Sequence, residues 1–172
     1  MEIGLISDTH SFLDPNISKI FASVDEIWHA GDFGTMEIAT ELQKLKPFRG
    51  VYGNIDTQDI REAFPEDLTF ELEGLTILMT HIAGRPGRYD KRMQPLLAQK
   101  PDVLICGHSH ILRIEKDKKH NSMQYLNPGA AGHKGAHLVR TVLKFNLLEG
   151  EVKNIRVIEL GPRGRKSKAT NL

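Results

Sequence analysis

At 172 residues the chain is long enough for one domain with a real core and short for two. Its 23 Lys and Arg nearly balance 22 Asp and Glu, which argues against nucleic-acid or membrane binding by bulk electrostatics. A single cysteine, Cys106, excludes an internal disulfide and gives no sign of an oxidising compartment. With no basic leader ahead of an apolar run, and no run near the ~20 apolar residues of a membrane span, the expectation is a soluble cytoplasmic protein.

The first half alternates strand and helix. Residues 2–6 (EIGLI) read as a short buried strand. Asp14 and Pro15 then supply a helix cap and a first-turn proline, and Ile17, Ile20, Phe21 and Val24 follow at helical spacing. Residues 25–30 (DEIWHA) give a second strand with Trp28 in the core. Thr35 caps a second helix, whose Ile38, Ala39, Leu42 and Leu45 share one face until Pro47 ends it. Residues 48–52 (FRGVY) give a third strand, so the start reads as βαβαβ with parallel strands joined by right-handed crossovers.

The second half changes character. Residues 68–74 (LTFELEG) and 75–81 (LTILMTH) are strand-like runs that meet at Glu73-Gly74, a hairpin signal. A helix carrying Met93, Leu96 and Leu97 follows. Five further strand-like runs come next, at 102–106, 111–117, 123–127, 138–148 and 151–160. The turns KKHN and EG between them suit antiparallel hairpins, and Cys106 lies inside an apolar strand as an inert core residue. The expected class is one α/β domain, residues 1–161, with a parallel-rich sheet from its start and an antiparallel sheet from its finish. Residues 162–172 form a basic tail, expected to be flexible.

The polar residues fall at strand ends. Asp8-Thr9-His10 follow the first strand, Gly31-Asp32 the second, and Gly53-Asn54-Ile55-Asp56 the third. His81 and Gly107-His108-Ser109-His110 follow two later ones. The carboxyl edge of an open α/β sheet is where ligands bind, so five loops can converge on one point. Asp8, His10, Asp32, Asn54, His81, His108 and His110 are oxygen or imidazole donors. Seven are too many for one ion and suit two that share a bridging carboxylate. Mixed N/O ligation without thiolate suits Mn²⁺, Fe, Zn²⁺, Co²⁺ or Ni²⁺, and paired ions of this kind serve in-line attack on phosphorus. Glycines before Asp32, Asn54 and His108 allow tight turns and close approach.

These motifs, D-x-H, G-D, G-N-x-D, a later histidine and G-H-x-H, resemble those of the calcineurin-like metallophosphoesterases. Residues 127–130 (NPGA) resemble a segment of that family's small bacterial and archaeal phosphodiesterase branch. The resemblance implies a sandwich of two mixed β-sheets flanked by helices. It implies one metal held by Asp8, His10, Asp32 and His110, and another by Asp32, Asn54, His81 and His108, with Asp32 bridging and Mn²⁺ the foremost ion. Phosphodiesters would be hydrolysed by in-line attack of a metal-bound hydroxide, with Asp32, Asn54, His81 and Asp56 as the catalytic set. Many members carry a histidine after the G-N asparagine, paired with the aspartate that follows and protonating the leaving group. Here that position is Ile55, beside Asp56. The alternatives are a phosphomonoesterase, a metallonuclease using the basic tail, or a protein-binding scaffold like the retromer small subunit. Scaffold relatives lose metal ligands, and this chain keeps all seven.

Several residues lie outside the motif set. His29 precedes Gly31-Asp32 and can donate a hydrogen bond to the site or be a structural polar residue at a strand end. Arg85, Arg88 and Lys91 sit in a Gly/Pro-rich loop and can clamp a phosphate or face solvent. His133 and His137 can substitute for the absent proton donor or be plain surface histidines. His120 sits in a hairpin turn without a role. The partner expected is a phosphodiester, with a homo-oligomer open and no membrane.

Overall fold

The structure is a computed structural model in which residues 1–164 are described. Two five-stranded sheets pack face to face. The first has the order β12-β11-β1-β2-β3 and the second β4-β5-β8-β10-β9. In the first sheet β1 (Glu2–Ile6), β2 (Glu26–His29) and β3 (Phe48–Gly50) are parallel. They are linked by α1 (Ile17–Ile20) and α2 (Met36–Leu45), the βαβαβ start that the sequence predicts. The final hairpin, β11 (Val139–Leu148) and β12 (Glu151–Pro162), then joins the same sheet, with β11 antiparallel to β1.

The second sheet holds β4 (Asp67–Leu72), β5 (Leu75–Thr80), β8 (Val103–Ile105), β9 (Arg113–Asp117) and β10 (Met123–Asn127). Its centre, β5-β8-β10, is parallel and its edges are antiparallel. Each sheet is therefore mixed. That is the sandwich of two mixed sheets that the family resemblance implies, while the division of the chain into a parallel-rich sheet and an antiparallel one is corrected, because hairpin signals are local and sheet partners are chosen by burial far along the chain.

Period-two burial explains the layers. Ile3, Leu5, Trp28, Ile77, Met79, Val103, Ile105, Leu143 and Phe145 fill the space between the sheets. Their strand neighbours face outward. Ile6, Ile27 and Val142 meet α1, α2 and α3 (Gln58–Ala63), while Leu78, Leu104 and Cys106 meet Met93 and Leu97 around α4 (Gln94–Leu97). Burial pushes the Cys106 thiol up to about 12, so it stays protonated in the core as expected.

Several local expectations change. The first helix is a single turn, and Asp14 does not cap it. Its carboxylate accepts from the Asn16 backbone N–H (2.9 Å) and pairs with Arg140 (2.8 Å), tying β11 to the loop before α1. Thr35 caps α2 by position but makes no side-chain cap bond. Helix α3 was not legible, since Ile60 is its one buried residue. Between β5 and α4 a small hairpin appears, β6 (Gly84–Arg85) with β7 (Arg88–Tyr89), in the segment read as a loop. Strand β12 ends at Pro162, the first residue assigned to the tail, and just beyond it the Arg163 N–H donates to Leu138 O. The rest of that tail, 165–172, lies outside the described residues. Among the described residues no helix is long and apolar enough to cross a membrane.

Candidate metal centre

Strands β1, β2, β5 and β8 end at the same edge of the sandwich, and the loops beyond them carry the expected donors. Asp8, Asp32 and His81 are buried, and His10 and His110 partly so. The donor atoms crowd together. Asp8 Oδ1 lies 3.1 Å from His110 Nε2 and 4.0 Å from His81 Nε2. Asp32 Oδ1 lies 3.2 Å from His81 Nε2, and its Oδ2 lies 3.7 Å from His10 Nε2. His10 and His110 approach through their Nε2 atoms to 3.2 Å. Two three-residue groups emerge, Asp8-His10-His110 and Asp8-Asp32-His81. Asp8 is common to both, and the two Asp32 oxygens face opposite sides, so either carboxylate reaches both groups.

Asn54 and His108 sit at the exposed rim. Their contact is mutual, His108 Nδ1 to Asn54 Oδ1 at 2.9 Å. The rim is tied to the buried donors by backbone N–H groups: Ile55 N–H donates to Asp32 Oδ1 (3.1 Å) and His108 N–H to Asp8 Oδ2 (3.1 Å).

The backbone at these positions is strained. Of the seven donors, Asp8, His10, Asp32, His108 and His110 have φ between 48° and 64°, the left-handed region. For a residue with a Cβ this conformation costs on the order of 1 kcal/mol each and persists only when the surroundings impose it. It turns each side chain off the end of its strand toward the common centre.

Those surroundings include residues outside the donor set. Ser7 Oγ donates to Asp8 Oδ2 (2.7 Å). Asn127 Nδ2 donates to Gly107 O (2.8 Å) and Ser109 Oγ (3.1 Å), which fixes the G-H-x-H loop and gives the NPGA segment its part. Arg61 donates to the carbonyls of Asp56, Gly53 and Asn54. Gly135 passes so near His110 that a Cβ there would lie 2.0 Å from the ring nitrogen. At Gly53 a Cβ would lie 2.0 Å from Asp32 Oδ1, so that glycine admits a neighbouring donor rather than a ligand. Ser7 beside D-x-H, Asn127 in NPGA and Gly53 before Asn54 carried a usable sequence signal, whereas Arg61 and Gly135 did not.

Asp56, expected in the catalytic set, is buried with its carboxylate on backbone donors. It accepts from Gly53 N–H (2.7 Å), Gly34 N–H (2.9 Å) and Asp32 N–H (3.0 Å). With no histidine at position 55 to lean on it, it fixes two donor loops against each other. Asp56→Asn leaves one of these N–H groups facing an amide –NH₂. We expect it to lose about 2–4 kcal/mol in chemical denaturation, the cost of charge-assisted bonds plus one buried unpaired donor. A loss under about 0.5 kcal/mol would reject this role.

His29 is fully buried and accepts the Gly31 N–H at Nδ1 (3.1 Å) while Nε2 meets Thr9 Oγ1 (3.0 Å). It thus joins the loops that carry Asp8 and Asp32. Burial holds its imidazole well below the usual range, so it is neutral. His133 packs its ring at a tilt against Phe12 and bonds Arg163 O. His137 bonds Gly132 O (3.1 Å), its ring 5.2 Å from that of His110. His137 is bonded at Nε2 alone, its Nδ1 being buried without a hydrogen bond.

Two donor atoms are buried without a well-directed hydrogen bond, Asp8 Oδ1 and His81 Nε2, although His110 and Asp32 lie beside them. An unpaired buried polar atom is costly. His81 is oriented by Nδ1–H to Ala30 O (2.7 Å), which turns Nε2 toward the carboxylates. Burial alone would lower the His81 pKa, but Asp32 and Asp8 raise it above the ordinary histidine value. Burial would raise Asp32, and the His81 bond and charge bring it below the ordinary carboxylate value. Burial lowers His10 and His108, so both are neutral at neutral pH. Donors on one divalent cation with bonds of about 2.1 Å lie about 3–3.4 Å apart. The Asp8–His110, Asp32–His81 and His10–His110 spacings fall in that range, the Asp32–His10 (3.7 Å) and Asp8–His81 (4.0 Å) spacings lie beyond it, and Asp8 Oδ1 and His81 Nε2 are atoms such a cation would satisfy.

Known proteins resemble the chain along most of its length. It is 35% identical over 136 residues to a probable metallophosphoesterase of Methanothermobacter thermautotrophicus, covering 76% of this chain and 77% of that one. It is 28% identical over 178 residues to a phosphodiesterase of Methanocaldococcus jannaschii, covering 93% and 99%. A solved structure of a Vps29 mutant from Entamoeba histolytica shares the fold, with TM-score 0.69, 18% identity and 92% and 99% coverage. The profile of the calcineurin-like phosphoesterase superfamily domain matches residues 1–150, and the chain belongs to that family.

Proposed function

We propose that the protein hydrolyses phosphodiesters at a two-cation site held by Asp8, His10, Asp32, Asn54, His81, His108 and His110, with Mn²⁺ as the first ion to test. One observation carries this reading: Asp8 Oδ1 and His81 Nε2 are buried, crowded against His110 and Asp32, and lack a well-directed hydrogen bond. When bound, the cations would supply Lewis acidity and bring the pKa of water toward neutral. Asp8 and Asp32 set the charge of the site, and Ser7, Asp56 and His29 hold their loops. Asn54 Nδ2, left free by the bond from His108 to Oδ1, can donate to a phosphoryl oxygen as the ester P–O bond opposite the entering water breaks. The phosphodiesterase name of the Methanocaldococcus relative agrees with this choice of ester.

The test is metal-stripped protein given Mn²⁺, Ni²⁺, Co²⁺, Zn²⁺ or Mg²⁺ and assayed on bis(p-nitrophenyl) phosphate and p-nitrophenyl phosphate. Hydrolysis of the diester in preference to the monoester is expected. No turnover of either with any ion would end the reading. A chelator should also lower the melting temperature by several degrees without unfolding the chain. Ions bind the native state alone, and 100-fold excess over Kd is worth about 2.7 kcal/mol. An unchanged melt in protein shown to have held metal would contradict a preformed site.

The pH dependence follows from His81. Its proton occupies the Nε2 that a cation needs, and its pKa is raised. In metal-free protein its ion pair with Asp32 stabilises the fold fully below the unfolded value, about 6.5, and that contribution is lost as pH rises through the folded value. Metal affinity gains over the same window, since the proton leaves. The melting gap between loaded and chelated protein should therefore widen as pH rises above about 6.5. A gap that narrows would show that His81 is not a ligand.

A further inference from the structure

A cleft of about 640 Å³ runs from Gly107 and His108, at the rim of the metal site, out beneath the β6–β7 hairpin. Its charge is one-sided. Arg85, Arg88, Lys91 and Arg113 line it against a single carboxylate, Asp90. Arg113 is paired with Glu115 (2.9 Å), and Asp90 caps the turn at Arg92 through its N–H (3.0 Å). Among the described residues no carboxylate lies within ion-pair distance of Arg85, Arg88 or Lys91, whereas Arg49, Arg92, Arg140 and Arg156 all have one.

Arg85 and Arg88 also stand directly opposite each other in the hairpin register. Like charges at that position repel, and a two-stranded hairpin is marginal on its own. This one is nevertheless held at its base: Tyr125 O–H donates to Gly84 O (2.7 Å), Asp90 N–H to Ala83 O (2.9 Å), and Tyr89 O–H to Asp117 Oδ2 (2.6 Å). The fold thus presents two adjacent guanidinium groups on a fixed base, without neutralising them. Two such forks match the oxygens of a phosphate. The cleft wall between them and His108 includes Ile111 and the Tyr89 ring, an apolar surface suited to an organic skeleton.

We propose that this cleft is a second anion subsite, in which Arg85 and Arg88 take a phosphate carried elsewhere on the ester being hydrolysed. The substrate class is then a phosphodiester with a further phosphate on one arm. This rests on the phosphodiesterase reading and narrows it.

The experiment uses metal-loaded protein and a matched pair of probes: the p-nitrophenyl ester of thymidylate, and the same ester with a second phosphate on the sugar. The second should show a KM roughly ten- to a hundredfold lower at similar kcat, as expected for binding uniform along the reaction. Calorimetry with the corresponding nucleoside phosphates should give the same order of preference in Kd without turnover. In Arg85→Gln/Arg88→Gln both preferences should fall to within about twofold, and in the native protein both should shrink with added salt. Equal KM and equal Kd for the two members of each pair would overturn the subsite, as would a preference that survives in the double variant. Hydrolysis of bis(p-nitrophenyl) phosphate by the native protein reports separately on the parent reading. If that fails with every ion, the calorimetric preference and its dependence on the two arginines still decide the subsite.

Discussion

Asp32→Asn is expected to lower turnover of bis(p-nitrophenyl) phosphate by at least about 10³-fold, because one missing charge-stabilising group already costs 10²–10³ and this carboxylate faces both donor groups. The geometry also says which side fails. Ile55 N–H donates to Oδ1 and will hold the amide oxygen there, so the –NH₂ replaces Oδ2 and faces His10. An amide –NH₂ cannot ligate a cation. Metal content should fall toward one ion per chain, with the His81 side retained. Asparagine keeps the size of the buried side chain, which is 2% exposed, so the fold should stand. Two ions per chain with near-normal turnover would overturn the site assignment.

The second large effect concerns Ile55. It is 44% exposed at the rim, beside Asn54, and cannot donate a proton. The leaving oxygen must depart as an anion or take a proton from water. Esters with acidic leaving groups should therefore react, and alkyl esters should react slowly, with a steep fall of log rate against leaving-group pKa. Ile55→His would set an imidazole at that lip. A positioned general acid is worth about 10²–10⁴-fold, so the gain should be greatest on the poorest leaving groups and should flatten the plot. A flat plot for the native protein, with chemistry rate-limiting, would mean that another group gives the proton. His137, 5.2 Å from His110 ring to ring, would be examined first, although its Nε2 is engaged with Gly132 O.

The donor set was legible because each motif ends a strand, and the folded chain gathers Asp8, His10, Asp32, His81 and His110 at one edge with Asn54 and His108 beside them. The alternating start of the chain was legible for the same local reason, since strand and helix periods differ and proline marks the boundaries. What was hidden depends on distant partners. Nothing in residues 138–160 says that their hairpin will lie against β1 rather than in the second sheet. Arg61 looks like any surface arginine on a short helix until its carbonyl partners are seen. Gly135 looks like loop filler until it is found against His110. Asp56 shows why a motif position does not fix a role: the residue is kept, while its neighbour at 55 changes what it can do.

The left-handed backbone at five donor positions has a consequence for the evolution and engineering of this chain. Glycine adopts that conformation freely. At His10, His108 and His110, which are not fully buried, replacement by glycine would relieve local strain while deleting a candidate ligand. Selection for heat resistance in metal-free protein would then favour such changes, and stability would rise as activity disappeared. A lineage freed from the need for catalysis would be drawn the same way, losing its ligands by downhill steps while the sandwich beneath them stayed intact.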